Sequence, residues 1–225
     1  MSLSTKTAIL DRIRRANGAS GEDAARKASV AERLASRPRG IIPERGQLPP
    51  AERVALFVAM AEAAVATVAL LPSIEGLPAE VARYLRERNL PATIRLGSDA
   101  RLARADFTPT AIEVSRGPSD GEELNSLSHA EAGIAETGTL VLVSGQANPT
   151  SLNFLPENHI VVIDASTIEG SMEDAFAAIR RTWGEGMART INTITGPSRS
   201  ADIEQTLLLG AHGPKSLHIV VIDDL

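Results

Sequence analysis

The residues of this chain best suited to chemistry fall in two short stretches. The first is SHAEAGIAETGTLVLVS, residues 128–144, in which Glu131 and Glu136 flank the small-residue run Ala132-Gly133-Ile134-Ala135. A carboxylate beside glycine at the mouth of a strand suits a nucleophile or a general base. Glu136 is the catalytic candidate, with Glu131, Thr137 and Gly138 as ligand contacts. The same carboxylate would equally serve to cap nearby N–H groups. Gly133 and Gly138 permit a tight backbone or the close approach of a ligand. The second stretch is TGPSRSADIEQTLLLGAHGPK, residues 195–215. Gly196 and Pro197 turn the chain, Ser198 and Ser200 offer hydroxyls, and Arg199 offers a planar fork for a carboxylate or phosphate. Gly196, Ser198, Arg199 and Gly213 are read as ligand contacts. His212, set between Gly210 and Gly213, is the second catalytic candidate. Asp202 and Glu204 suit a first helical turn, and Ser200 or Asp202 could cap it.

Several chemistries are excluded by what is missing. The second loop carries neither GxxxxGK[ST] nor GxGxxG, so neither a P-loop nor a dinucleotide fingerprint is present. The chain has no cysteine, which removes disulfides and cysteine-ligated zinc or iron–sulfur clusters. The four histidines, His129, His159, His212 and His218, form neither HxH nor HExxH, and no metal is expected. His159 and His218 each open an apolar run and read as buried structural residues. A net charge of −5 with 3% aromatic residues, and no basic stripe interleaved with aromatics, argues against nucleic acid. No apolar run reaches the roughly 18 residues of a membrane span. The N-terminal MSLSTKTAILDRIRRANG lacks the apolar core, about 7–15 residues, of a signal peptide. A cytoplasmic location is therefore expected.

The elements that must position these residues alternate. Residues 4–16 read as a helix capped by Ser4 or Thr5, with Ile9, Leu10 and Ile13 in a stripe. Residues 17–50 look least globular. Their proline-rich end, RPRGIIPERGQLPP, predicts an extended arm anchored by Ile41 and Ile42. Residues 1–50 are thus set apart from an α/β domain at 51–225. Helices are predicted at 51–64, 78–89 and 171–182, and strands at 66–71, 92–96, 112–115, 139–144 and 159–164. The loop 145–156 holds a short helix and the polar Asn148, Thr150, Ser151 and Asn153. Residues 190–224 read as strand, crossover helix over 201–209, and strand, a βαβ unit. Alternating strands and helices predict an α/β fold with a largely parallel sheet flanked by helices. Such a sheet would place a cleft lined by Glu136, Ser198, Arg199 and His212 at its carboxyl ends. The arm and the apolar terminal strand would suit a homodimer.

The paired motifs AEAGIAETGT (130–139) and TGPSRSADIE (195–204), with GAHGP (210–214), resemble the LUD domain family, and more narrowly its lactate-utilisation protein C branch. The resemblance covers roughly residues 51–225. It implies a fold similar to the NagB/RpiA/CoA-transferase-like superfamily, which also holds the formyltetrahydrofolate cyclo-ligases. It also implies a subunit that acts with two iron–sulfur partner proteins in oxidising L-lactate to pyruvate. The lack of cysteine fits clusters carried by those partners and no cofactor in this chain. The family supplies no settled catalytic residues, so the site candidates rest on their chemistry alone. Against the subunit reading stand a stand-alone enzyme of CoA-transferase or cyclo-ligase type, with Glu136 reactive, and a small-anion sensor or scaffold.

Overall fold

A computed structural model describes residues 3–18, 22–184, 186, 188–201, 207–210 and 212–224. The chain divides into two compact units, Met1–Ile41 and Ile42–Leu225. The first holds α1 (Leu3–Ala16) and α2 (Ala24–Ser36). The second of these was not expected. Its sequence is short of large apolar residues, yet Asp23 caps it by accepting from the backbone N–H groups of Ala25 and Arg26. Ser4 and Thr5 lie inside the first turn of α1 rather than before it. Of the predicted arm, residues 37–43 have no regular secondary structure, with Ile41 exposed and Ile42 half-buried, and a 3₁₀ turn follows at Glu44–Gln47.

The second unit continues with α3 (Pro50–Ala63), β1 (Thr67–Ser73), α4 (Leu77–Glu87), β2 (Thr93–Leu96), β3 (Glu113–Arg116), β4 (Asn125–His129), β5 (Ala132–Ile134) and β6 (Thr139–Val143). After these come α5 (Ser151–Phe154), β7 (Asn158–Asp164), β8 (Ile168–Glu169), α6 (Met172–Trp183), β9 (Ile191–Ile194), β10 (Arg199–Ala201), β11 (Leu207–Leu209) and β12 (Ser216–Asp224). Six strands form a wholly parallel sheet in the order β1-β12-β7-β4-β2-β3. The expected α/β class and parallel sheet are therefore present.

Alternation along the central strands sorts the core into two faces. Ile160 and Val162 of β7, with Val220 and Ile222 of β12, pack with Val81, Tyr84 and Leu85 of α4. Val161, Ile163, Ile219 and Val221 face the other way, toward Phe57 and Ala61 of α3 and Leu140 and Leu142 of β6. A sheet covered on both faces needs near-continuous apolar strands, which is what β7 and β12 supply. A smaller four-stranded sheet, β8-β5-β6-β9, lies beyond that second face. Its Ala132, Ile134 and Val141 pack on Ala175 and Ile179 of α6. Ser171 caps α6 by accepting from the Asp174 N–H, and Gly184 ends it.

Three expectations are corrected. β9 does not share a sheet with β12; it pairs antiparallel with β6. The predicted βαβ unit is therefore not formed. The crossover helix over 201–209 is not formed at its described ends, because Arg199–Ala201 and Leu207–Leu209 pair as an antiparallel two-stranded sheet. Asp202 and Glu204 lie outside the described residues. Finally, β12 sits between β1 and β7, paired on both sides, so the terminal strand offers no edge for a second copy.

β4 escaped the sequence reading because it is polar. Asn125, Ser126, Ser128 and His129 are all buried. Distant partners allow this. Asn125 donates to the carbonyls of Pro91 and Thr93, Ser126 to that of Leu152, and Ser128 to the side-chain oxygen of Asn153.

Candidate functional site

Two loops and a short helix enclose a cavity of about 270 Å³ on the β6-facing side of the parallel sheet. His159 and Leu217 are the second residues of β7 and β12; the two are neighbours in register, with Ser126 of β4 on the other side of His159. Asn153 and Phe154 of α5 close one wall. Residues 193–199 and His212-Gly213-Pro214 close the others. Gly196, Ser198, Arg199, His212 and Gly213, all singled out from sequence, meet here. The meeting has a backbone cause: Ser198 N–H donates to the Pro214 carbonyl (2.8 Å) and Gly210 N–H to the Ser198 carbonyl (3.0 Å). The 212–214 loop is thus pinned against the Gly-Pro-Ser-Arg turn. Gly196 sits at φ +67, a region that favours glycine, and a Cβ there would run into the Ala64 carbonyl at the end of α3. Arg199 donates to that same carbonyl through one guanidinium nitrogen.

The cavity contains polar groups that sequence reasoning did not assign to a site. His159 is fully buried, and neither ring nitrogen has a hydrogen-bond partner among the described residues. Burial alone pushes its imidazole down to about 3, so it is neutral at physiological pH and can donate with one nitrogen while accepting with the other. Asn153 is fully buried as well; its oxygen accepts from Ser128 while its amide N–H₂ has no such partner. Orphaned buried donors cost about 1–3 kcal/mol each and are uncommon. Two of them lining one cavity point to a ligand that completes them. The cavity lies at the amino ends of β7 and β12, not at the carboxyl ends expected from sequence.

Glu136 is not among the lining residues. It is 7% exposed, and its Oε1 accepts from the Met172 N–H (3.0 Å) at the start of α6. Its other oxygen faces Gly46, whose 3₁₀ turn crosses Gly170 so closely that a Cβ on either glycine would meet the other strand. Arg53 holds the same turn by donating to the Leu48 carbonyl and pairing with Glu169 (2.7 Å). A carboxylate at a helix amino end stabilises it by about 0.3–1 kcal/mol. Glu136→Gln keeps an acceptor and should lower stability by about that much. Glu136→Ala, which leaves Met172 N–H unpaired, should cost about 1–3 kcal/mol. Thermal melts of both variants measure this, and a variant that melts like the parent but loses ligand binding would move Glu136 back into the site. Thr137 bonds Thr139, which bonds Thr195 (2.7 and 2.6 Å), so Thr137 supports the cavity wall from behind. Gly138 turns at φ +64 against α3.

Glu131 belongs to a separate polar cluster. Arg101 donates to Glu131 Oε1 and to Asp99 Oδ2, both at 2.6 Å. His129 stands beside them, 2% exposed, with neither ring nitrogen partnered. Its pKa falls to about 4, first through burial and then through the Arg101 charge. His218, read as structural, bonds Thr67 and Glu80 and stacks on Tyr84 at 4.3 Å.

Comparison with known proteins agrees with this architecture. The LUD domain family matches residues 125–222, the stretch from the start of β4 into β12. A protein named lactate utilization protein C from Geobacillus sp. (strain WCH70) is 46% identical over 93 residues, 40% of this chain and 39% of the relative. Another of that name from Shouchella clausii is 42% identical over 92 residues, 40% of each. An uncharacterized protein of Neisseria meningitidis is 35% identical over 139 residues, 59% of each. The matched segments thus span about two-fifths of the relatives named for lactate utilisation. A solved structure of a DUF162 family protein from Deinococcus radiodurans shares the fold, with a TM-score of 0.57 at 20% identity, over 78% of this chain and 99% of the other. Residues 125–222 are thus similar to the LUD domain family, and part of the chain is similar to proteins named lactate utilization protein C.

Proposed function

We propose that this chain is the small-acid-binding subunit of a lactate-utilisation assembly. In this reading it acts in the cytoplasm with iron–sulfur partner proteins that oxidise L-lactate to pyruvate, and has no redox centre of its own. The names of the relatives support a role in lactate utilisation, and the absence of cysteine fits clusters carried by partner proteins. Among the described residues no helix is long and apolar enough to cross a membrane.

The observation that carries the reading is the cavity, whose lining holds two orphaned buried side chains together with Ser198 and Arg199. A 2-hydroxy acid has a carboxylate and an adjacent hydroxyl. The Arg199 fork and the Ser198 hydroxyl suit the carboxylate. One ring nitrogen of neutral His159 suits the hydroxyl, as donor or acceptor according to its tautomer, and the Asn153 amide supplies a further donor. Phe154, Pro197, Pro214 and Leu217 give the apolar wall for a methyl group. Glu136, held at the start of α6, gives no support to a transferase mechanism through that residue.

Calorimetric titration of the full chain with L-lactate and with pyruvate tests this. One-to-one binding is expected, weakened about 10-fold to 100-fold by Arg199→Ala, the range for losing a charged hydrogen bond. Ser198→Ala should weaken it less. If neither acid binds to the chain alone or reconstituted with its iron–sulfur partners, the reading is wrong.

A further inference from the structure

The parallel sheet has a topological switch point, and the Asp99–Arg101–His129–Glu131 cluster sits on it. β2 sends the chain outward to β3, whereas β4, its other neighbour, sends it back toward β7. Open α/β sheets bind ligands in the crevice outside the carboxyl ends of the strands at such a reversal. Here the loop after β2 supplies Asp99 and Arg101. The carboxyl end of β4 supplies His129, and Glu131 follows two residues later. One ligand atom each from Asp99, His129 and Glu131 lies within 4.8 Å of the others.

From this juxtaposition we propose that Asp99, His129 and Glu131 form a site for a divalent first-row transition ion, and that the Arg101 guanidinium occupies the cation seat when the metal is away. The site is independent of the cavity described above. Four observations carry it. First, two carboxylates and an imidazole make a mixed oxygen–nitrogen donor set, which suits zinc, manganese or iron better than magnesium or calcium. Second, His129 is 2% exposed, has two unpartnered nitrogens, and stands beside those carboxylates. A buried neutral imidazole with no partner lacks a structural reason to be polar. As a metal ligand it needs no proton removed.

Third, the cluster already holds one cation. Arg101 donates from Nε and Nη2 to Asp99 (2.9 and 2.6 Å) and from Nη2 and Nη1 to Glu131 (2.6 and 3.3 Å). Four of its five donors are spent on the two carboxylates that would bind a metal, so guanidinium and metal exclude each other. Fourth, the two sides of that exchange differ in freedom. The Asp99 side chain is 4% exposed and fixed, whereas that of Arg101 is 37% exposed and can swing its head into solvent. No bond is made or broken beyond coordination.

The test is titration of the chelator-treated full chain at neutral pH with Zn²⁺, by calorimetry, and with Co²⁺, whose visible absorption reports imidazole and carboxylate ligands. One-to-one binding is expected in the parent. Glu131→Gln and His129→Asn should each weaken it by about tenfold or more. Arg101→Met removes the competing cation and should strengthen it by about tenfold. Glu131 is partly exposed, so its variant keeps the test valid if His129→Asn fails to fold. An absence of binding in the parent would overturn the site. So would an unchanged affinity in Glu131→Gln or Arg101→Met, or tighter binding of Mg²⁺ than of Zn²⁺.

Discussion

Urea unfolding of this protein should lose stability as the pH is lowered from about 6.5 toward 4.5, with a slope that steepens toward about 1.4 kcal/mol per pH unit from one histidine alone. His159 sets that figure. In the folded chain its imidazole is held neutral to about 3 by complete burial. In the unfolded chain it titrates near 6.5, the ordinary value for histidine. Between those values the unfolded state binds a proton that the folded state refuses, so acid favours unfolding. The contribution is fully present above pH 6.5 and drains away below it. His218 acts with the same sign. Burial lowers it, and the partnering Glu80 carboxylate opposes but does not cancel that effect. From pH 6.5 to 4.5 the His159 term alone amounts to about 2–3 kcal/mol. That is a large share of the 5–15 kcal/mol typical of a domain. Midpoints at pH 7, 6, 5 and 4.5, followed by circular dichroism, measure it. His159→Gln should flatten the slope by about one proton. A parent midpoint that stays level over this range would show that His159 is either solvated or paired in the folded protein.

How much of this was legible in the sequence depended on how local the cause was. β7 and β12 could be read because burial on both faces demands continuous apolar residues, and both runs have them. α4 and α6 could be read because Pro78 and Ser171 mark their starts beside amphipathic patterns. β4 could not, because the partners that make its buried asparagine and serines affordable lie 25 to 34 residues away. β9 looked like a strand of the main sheet because a strand's own residues do not say which sheet it joins. The stretch 201–209 looked helical by pattern, whereas at its described ends Arg199–Ala201 pairs antiparallel with Leu207–Leu209. The same division holds for the sites. Gly196, Ser198, Arg199, His212 and Gly213 could be grouped from sequence because one turn and one nearby loop hold them. His159 and Asn153 join them only through strand register and the seating of α5. Asp99 meets His129 and Glu131 only because of the strand order, which reverses between β2 and β4.

Replacing Gly138 by alanine should cost about 3–5 kcal/mol, well above the usual cost of a single substitution. Two effects add. The residue turns at φ +64, where a side chain costs about 1–2 kcal/mol. Its Cβ would also fall 2.6 Å from the Met60 carbonyl carbon and 2.7 Å from Ala61 Cα, and it would strike the Ala61 nitrogen. These are backbone atoms of α3, which cannot rotate away as a side chain can. The helix must lift off the β5–β6 turn, and Ala61 and Phe57, both fully buried on that helix, would lose packing with it. Two other glycines separate the causes. Gly121 turns at φ +98 with nothing within 4 Å of a Cβ, so Gly121→Ala should show the conformational cost alone, about 1–2 kcal/mol. Gly145 has open space and ordinary φ, so Gly145→Ala should be within about 0.5 kcal/mol of the parent. The three midpoints must fall in that order. If Gly138→Ala costs no more than Gly121→Ala, α3 does not rest on the turn. The position of that helix, whose last carbonyl also receives Arg199 beside the cavity, would then need another cause.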